Sequence, residues 1–131
     1  MSPKEELVKE WLKLADDDLE IASMIMQSED PAFWASAFHP QQAAEKSLKA
    51  FLAFNEYHVE KTYEIEFLIK LSMQIQPEIE KLLIAGEELS DYAVDSRYPA
   101  PKFEITRKKA EKALETARNI YEFILNALPD F

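Results

Sequence analysis

The segment from His39 to Asn55 has the spacing of a long amphipathic helix, and it limits the possible folds more than any other stretch of the chain. Its apolar residues recur every three or four positions and form one stripe: Ala44, Leu48, Phe51 and Leu52. The opposite face carries a polar ridge at spacings i, i+3, i+4 and i+7: Gln42, Glu45, Lys46 and Lys49. The simplest interpretation of this polar ridge is a solvated face with a Glu45–Lys49 ion pair. The alternative is that the ridge binds a ligand.

The scarcity of glycine and cysteine narrows the fold class further. The chain has 131 residues, of which 47% are hydrophobic, one is glycine and none is cysteine. We therefore expect many helices and few tight turns, and we exclude disulfides, thiolate sites and glycine-rich phosphate loops. The length predicts a single domain over residues 1–131. Its fold is expected to be all-α, an antiparallel up-and-down bundle of four main helices plus one short helix.

Capping and breaking residues predict where the helices begin and end. Helix 1 is expected from a capping box at Ser2 to residue 27 or 28, and helix 2 from Asp30–Pro31 to about residue 55, with a kink or break near Pro40. A short helix is expected at about residues 63–73. The next covers about residues 78–92, where Gly86 either loosens it or permits close packing. The segment 90–101 is expected to be a loop, followed by a last helix from Pro101 to about residue 128.

The charge balance and the amino terminus bear on partners and location. The formal net charge is -10. A field of this sign repels polyanions, which argues against broad non-specific nucleic-acid binding but allows a local basic groove. The amino terminus is too charged for a signal peptide, and no apolar run is long enough to span a bilayer, so we expect a cytoplasmic protein. The two histidines, His39 and His58, are too few for a histidine-rich metal centre, and we expect no cofactor.

Helix 1 has two unusual features. Its apolar band is wider than one neighbouring helix requires, so we expect part of it to be buried against a second copy of the chain. Asp16, Asp17 and Asp18 interrupt this band. Because consecutive helical residues point in different directions, these carboxylates make a poor metal site. They are expected to be solvated or to pair with a nearby cation, and Asp18 is the one we expect to orient a cation of the binding site.

The loop before the last helix carries a second group of candidate residues: Asp91, Tyr92, Asp95, Arg97 and Tyr98. Arg97 is followed closely by prolines, and a guanidinium held in that way suits bidentate binding of phosphate or carboxylate. Tyr92 and Tyr98 suit stacking on a base. In the structural alternative, Arg97 pairs with a carboxylate of the chain and the tyrosines cover the end of the core.

Three segments together resemble the HEPN domain family: ADDDLEIA at 15–22, FHPQQAAEKSLKAFL at 38–52, and LSDYAVDSRYP at 89–99, followed by a helix with spaced alanines. The resemblance covers nearly the whole chain in the same order. It implies the helical bundle described above and a homodimer with a polar cleft between the subunits. Many bacterial and archaeal members lie beside a minimal nucleotidyltransferase, and some such pairs are a toxin and its antitoxin. The resemblance therefore implies a nucleotidyltransferase partner.

The ribonucleases of that family share an arginine that is followed, after four to six residues, by a histidine. This sequence lacks the motif, because both histidines precede every arginine. Without the motif, attack by a ribose 2′-OH lacks its obvious general base. We therefore predict a non-catalytic protein that binds a nucleotide or RNA. Two alternatives remain open: a divergent ribonuclease toxin that uses His39, and a structural adaptor that binds another protein.

The predicted binding site joins the polar ridge of helix 2 to the loop. Its residues are Gln42, Glu45, Lys46, Lys49, Asp91, Arg97 and Tyr98, with Asp18, His39 and Tyr92 in support. Lys46 and Arg97 are expected to bind phosphate, and no residue is assigned a catalytic role. The prediction requires the two segments to face each other across one cleft.

Overall fold

The computed structural model describes residues 1–57, 59, 64–95 and 104–130, and for residues 92–95 it describes the backbone only. Over these residues the chain forms helices and no strand, which confirms the predicted all-α class. The α-helices are α1 (Pro3–Met26), α2 (Phe33–Phe54), α3 (Ile65–Met73), α4 (Leu83–Asp95) and α5 (Arg107–Ala127). A 3₁₀ helix, Pro77–Leu82, leads into α4. None of the helices in these residues is long and apolar enough to cross a membrane.

The second helix, α2, lies at the centre of the bundle. It packs most extensively against α1 and α5, and it also contacts α3 and α4. Its predicted apolar stripe is buried, and small residues such as Ala37, Ala43 and Ala50 are fully covered, so the neighbouring helices approach closely. The large side chains of the core come from α2, α3, the 3₁₀ helix, α4 and α5: Leu48, Leu52, Ile65, Leu68, Ile69, Ile79, Leu89, Ile120 and Ile124.

The first helix begins as predicted, and the second does not. The Ser2 side chain accepts a hydrogen bond from the backbone N–H of Glu5 at 3.2 Å, and Pro3 is the first residue of α1. By contrast, α2 begins at Phe33, and its N-cap residue is Ala32, whose methyl side chain cannot accept a capping hydrogen bond. The predicted start at Asp30–Pro31 is therefore wrong, because the chain stays non-helical for two further residues.

Proline does not break α2. The helix is continuous from Phe33 to Phe54 although Pro40 lies inside it. Pro40 is fully buried. A proline in a helix interior removes one backbone hydrogen bond and costs about 3 kcal/mol, and burial on several sides of α2 outweighs that cost. The predicted break is wrong for this reason, whereas the alternative of a kink near Pro40 stays a prediction.

The end of α2 is a Schellman motif. The N–H of Tyr57 donates to the carbonyl of Leu52 at 2.9 Å, and the N–H of Glu56 donates to the carbonyl of Ala53 at 3.0 Å. Glu56 has φ 64, a left-handed conformation that usually belongs to glycine at this position. The motif turns the chain sharply, so that Tyr57 lies back against the end of α2.

The fourth helix extends into the segment that was predicted to be a loop. Residues 90–95 are helical, and the Ser90 hydroxyl accepts a hydrogen bond from the N–H of Ile65, the first residue of α3, at 2.9 Å. The close-packing alternative for Gly86 is confirmed, because a Cβ built there would lie only 2.5 Å from Cδ1 of Ile69, too close for van der Waals contact. The last helix, α5, starts at Arg107 rather than at Pro101, with a hydrogen bond from its first turn to the Thr106 side chain.

Candidate functional site

One carboxylate joins α1 to α2. Oδ1 of Asp18 lies 2.9 Å from Nδ1 of His39, and Oδ2 of Asp18 lies 2.6 Å from Nζ of Lys46. The Asp18 side chain is 9% exposed, whereas His39 is 27% and Lys46 is 21% exposed. The carboxylate is therefore at the bottom of the cluster and the two nitrogen-bearing side chains rise from it towards solvent. We call Asp18, His39 and Lys46 the ionic triad.

The ionic triad fixes both nitrogen-bearing side chains before any ligand binds. Each oxygen of Asp18 bonds to one of them, so neither side chain can rotate away without leaving a buried carboxylate oxygen unpaired. The Phe38 and His39 rings form a T-shaped pair, with centroids 5.6 Å apart and an interplanar angle of 74°. Because Nδ1 of His39 bonds to Asp18, Nε2 is the ring nitrogen that can interact with a ligand.

A second ion pair lies one turn further along α2. Nζ of Lys49 is 3.0 Å from Oε2 of Glu45, and both side chains are only 5% exposed. The pair forms at the predicted spacing but is buried, so the interpretation of this part of the ridge as a solvated face is wrong. Nζ of Lys49 also lies 5.5 Å from the centroid of the Trp11 ring. The other oxygen of Glu45 is buried and has no hydrogen-bond partner among the residues that the structure describes.

The two glutamines between these ion pairs form a fixed amide pair. Nε2 of Gln42 donates to Oε1 of Gln41 at 2.8 Å. Gln41 is fully buried, whereas Gln42 is half-buried. Gln41 was not among the predicted site residues. A signal for it was present, because Gln41 is a polar residue at helical spacing with Leu48 and Leu52 of the buried stripe.

The three consecutive aspartates point in different directions, as predicted. Asp17 pairs with Lys13 at 2.7 Å on the exposed side of α1, and this hydrogen bond raises the pKa of the Lys13 ammonium. Asp16 is exposed, and only Asp18 turns towards α2. Among the described residues, no group of histidine, aspartate and glutamate side chains could hold a metal ion.

The loop half of the predicted site is only partly described. Asp91 is exposed on α4. Tyr92 belongs to α4, where the backbone alone is described. Arg97 and Tyr98 lie outside the described residues. The structure thus brings Asp18, His39 and Lys46 together, with the Glu45–Lys49 pair and Gln42 adjacent on α2, while the expected approach of Arg97 to this group stays a prediction.

The all-α bundle is the architecture that the sequence resemblance implied. A sequence model of the HEPN domain matches residues 8–128. The chain therefore belongs to the HEPN domain family.

Two individual proteins are similar to this chain over most of its length. The chain is 29% identical over 136 residues to a protein of Methanocaldococcus jannaschii named "Putative toxin MJ1304", with 93% of this chain and 88% of the other covered. It also matches the crystal structure of TT1696 from Thermus thermophilus with a TM-score of 0.75 and 30% identity. That match covers 92% of this chain and 98% of the solved one.

Proposed function

We propose that this chain is a cytoplasmic HEPN protein that binds a nucleotide or RNA, without cleaving it, at the surface where the ionic triad joins α1 to α2. The observation that carries the proposal is the ionic triad, in which Asp18 holds Lys46 at 2.6 Å and His39 at 2.9 Å. An ammonium has three N–H donors, so the bond to Asp18 leaves capacity for a phosphate oxygen. The imidazole is fixed at Nδ1 by Asp18, and in its doubly protonated form it can donate its Nε2–H to the same phosphate.

The local arrangement matters because the overall charge opposes binding. At a net charge of -10, the averaged field of the chain repels phosphate. Asp18 also cancels one positive charge of the triad. Binding must therefore come from directed contacts to one or two phosphate groups rather than from a broad basic surface.

In this proposal some of the other predicted residues contact the ligand and others support the residues that do. Gln42 lies one turn from both His39 and Lys46 on α2, and it is positioned to contact the ligand next to the phosphate. Glu45 and Lys49 are buried and act mainly by supporting this face of the helix. Asp91, Arg97 and Tyr98 are proposed to contribute from the α4 side, with Arg97 as a second phosphate ligand and Tyr92 in support.

A homodimer is part of the same proposal. Leu14 and Ile21 stand about one turn before and after Asp18 on α1, and they are 46% and 39% exposed. A second copy that covers these side chains would border the ionic triad and enclose it in a polar cleft. A minimal nucleotidyltransferase is the proposed protein partner, on the strength of the family resemblance.

A divergent ribonuclease toxin is the second candidate, and the Asp18–His39 contact favours it specifically. With its Nδ1–H bonded to a carboxylate, a neutral imidazole presents an unprotonated Nε2, which is the orientation of a general base. Nε2 would then accept the proton of a ribose 2′-OH as that oxygen attacks the neighbouring phosphorus. The P–O5′ bond would break to leave a 2′,3′-cyclic phosphate, and the departing 5′-oxygen would take a proton from the imidazolium or from water. The toxin name of the Methanocaldococcus relative is consistent with this candidate.

The binding proposal is tested by isothermal titration with AMP and with pentaadenylate RNA. Lys46→Ala should weaken binding by about 10- to 150-fold, because it removes a charged phosphate donor whose hydrogen bond contributes roughly 1.5–3 kcal/mol. Lys70→Ala is the matched control: Lys70 pairs with Glu66 four residues earlier but is exposed on α3. Equal binding by wild type and Lys46→Ala would refute the proposal. Absence of binding together with tight association with a nucleotidyltransferase would favour the structural adaptor.

The two nucleic-acid functions are separated by incubating the purified protein with labelled RNA. A non-catalytic protein leaves the RNA intact. Cleavage that disappears in His39→Ala would replace the binding proposal with the ribonuclease. Cleavage that survives in His39→Ala would contradict the role given to this histidine.

A further inference from the structure

A small cavity lies between the first half of α1 and the end of α2, and its charged lining residue, Lys49, is one turn along α2 from Lys46 of the ionic triad. Two half-buried aromatic rings line it, those of Trp11 and Tyr57, together with the apolar side chains of Leu7 and Leu52. Among the described lining residues, Lys49 is the charged one. Tyr57 is held there by the Schellman motif at the end of α2, because its N–H bonds to the carbonyl of Leu52 at 2.9 Å.

The size and chemistry of the cavity limit what it can hold. Its volume is about 230 Å³, which is below the roughly 300 Å³ at which pockets for drug-sized ligands begin. It therefore fits a single planar ring system rather than a whole nucleotide. The charge of Lys49 is already matched by Glu45 at 3.0 Å, so the cavity has little preference for a phosphate. Aromatic walls of this kind bind the flat face of a nucleobase.

The position of the cavity relates it to the proposed phosphate site. Trp11 and Asp18 are seven residues apart on α1, which at 1.5 Å per residue is about 10 Å. On α2, Lys46 and Lys49 are one turn apart, and Lys49 lines the cavity. A nucleotide whose phosphate lies at Lys46 can reach the cavity with its base, and so can the adjacent nucleotide of an RNA strand.

We propose that this cavity is a base-binding subsite, in which a nucleobase stacks on Trp11 and Tyr57 while its phosphate binds at Lys46 and His39. This inference rests on the proposed function and adds to it the part of the ligand that is recognised. The bound chemistry is the same whether the base belongs to a free nucleotide or to an RNA strand.

Intrinsic fluorescence tests the subsite directly. The chain has two tryptophans, so Trp34→Phe, a change at an exposed position of α2, leaves Trp11 as the only one. In this variant, AMP or pentaadenylate should quench the tryptophan emission, and ribose 5-phosphate, which has no base, should not. Quenching by AMP identifies a free nucleotide as a sufficient source of the base, whereas quenching by pentaadenylate alone assigns the subsite to an RNA strand.

A second variant measures the contribution of the ring. Trp11→Leu keeps an apolar side chain but removes the stacking surface, and it should weaken AMP or pentaadenylate binding by about 5- to 150-fold. Binding of ribose 5-phosphate should not change. Circular dichroism and the melting temperature establish that the variant is folded.

The outcomes separate this inference from the proposed function. Binding that requires Lys46 but neither quenches Trp11 nor weakens in Trp11→Leu would overturn the subsite and leave the phosphate site standing. If none of the three probes binds, or if binding is unchanged in Lys46→Ala, the proposed function fails and the subsite fails with it.

Discussion

Asp18 differs from its two neighbours only in the direction in which α1 points it. Successive helical residues are rotated by about 100°, so Asp17 reaches Lys13 on the outer surface while Asp18 faces α2. The same side-chain chemistry is therefore a solvated surface charge at one position and the centre of the ionic triad at the next. Sequence alone identified Asp18 as a partner for a cation, and the packing of α1 on α2 specified Lys46 as that cation, with the His39 ring as the second partner.

Replacement of Asp18 should destabilise the protein. Asp18→Asn keeps the shape of the side chain but removes the charge that holds Lys46 and His39, and we expect a loss of about 1–3 kcal/mol in the free energy of unfolding. Urea denaturation measures it. Asp17→Asn is the matched control, and it should cause no measurable change because its ion pair with Lys13 is exposed. Equal losses in the two variants would show that the ionic triad contributes no more to the free energy of unfolding than an exposed ion pair does.

Ionisation of Tyr121 should make the protein less stable at alkaline pH. Burial, and then the nearby Asp16 carboxylate, raise the pKa of the Tyr121 phenol, while Lys13 acts in the opposite direction. The unfolded chain therefore ionises this phenol first. Its contribution to stability is complete below the ordinary tyrosine pKa of about 10 and is lost as the pH rises through the higher folded value.

Substitution of this tyrosine tests the sign. Urea denaturation between about pH 9 and pH 11 should show a smaller loss of stability with pH in Tyr121→Phe than in wild type. An identical pH dependence in the two proteins would mean that the phenol titrates alike in the folded and unfolded states.

At the scale of elements, apolar periodicity located the helices, and tertiary contacts decided their ends. The buried stripe of α2 follows directly from the spacing of Leu48, Leu52 and their neighbours. The local signal of Pro40 predicted a break that the surrounding helices override. Proline also misplaced the starts of α2 and α5, because a proline that suits the first turn of a helix also suits the loop before it.

The candidate site was predictable to a similar extent. Helical spacing correctly placed Gln42, Glu45, Lys46 and Lys49 on one face of α2. In the structure these residues belong to three groups: Lys46 to the ionic triad, Gln42 to the amide pair, and Glu45 and Lys49 to the buried ion pair. The partnership of His39 with Asp18 spans 21 positions of sequence, and no local pattern reports a contact of that range. The burial of Glu45 likewise depends on the elements that pack around the centre of the bundle.

The Schellman motif at the end of α2 offers a test at this scale. Glu56 adopts φ 64, a left-handed conformation that a residue with a Cβ adopts at a cost. Glycine avoids this cost, so Glu56→Gly should be more stable to urea than Glu56→Ala by about 1 kcal/mol. The alanine variant controls for loss of the exposed carboxylate. Greater stability of the alanine variant would contradict the motif.

At the scale of the whole molecule, the chain combines an acidic surface with exposed apolar side chains on α1. Leu7, Leu14 and Ile21 are spaced by seven residues and are 45%, 46% and 39% exposed. Such a stripe is typical of a helix that packs on another helix. Because it flanks Asp18, the association of two copies and the enclosure of the ionic triad would be one event.

Charge placed on this stripe should therefore separate the copies. Sedimentation velocity is expected to show a dimer for the wild type and a monomer for Leu14→Glu with Ile21→Glu, since buried carboxylates without partners oppose association. Ile84→Glu is the control: Ile84 is 82% exposed but lies on α4, and its variant should remain dimeric. A monomeric wild type, or a dimer that tolerates both α1 substitutions, would contradict the proposed interface.

The central claim is that Lys46 of the ionic triad binds a phosphate of the ligand, and the salt dependence of RNA binding measures this directly. For pentaadenylate, each phosphate contact contributes about 0.7 to the slope of log K against log salt concentration. Lys46→Ala should therefore reduce the magnitude of the slope by about 0.7, while Lys70→Ala leaves it unchanged. An unchanged slope in Lys46→Ala would contradict the claim.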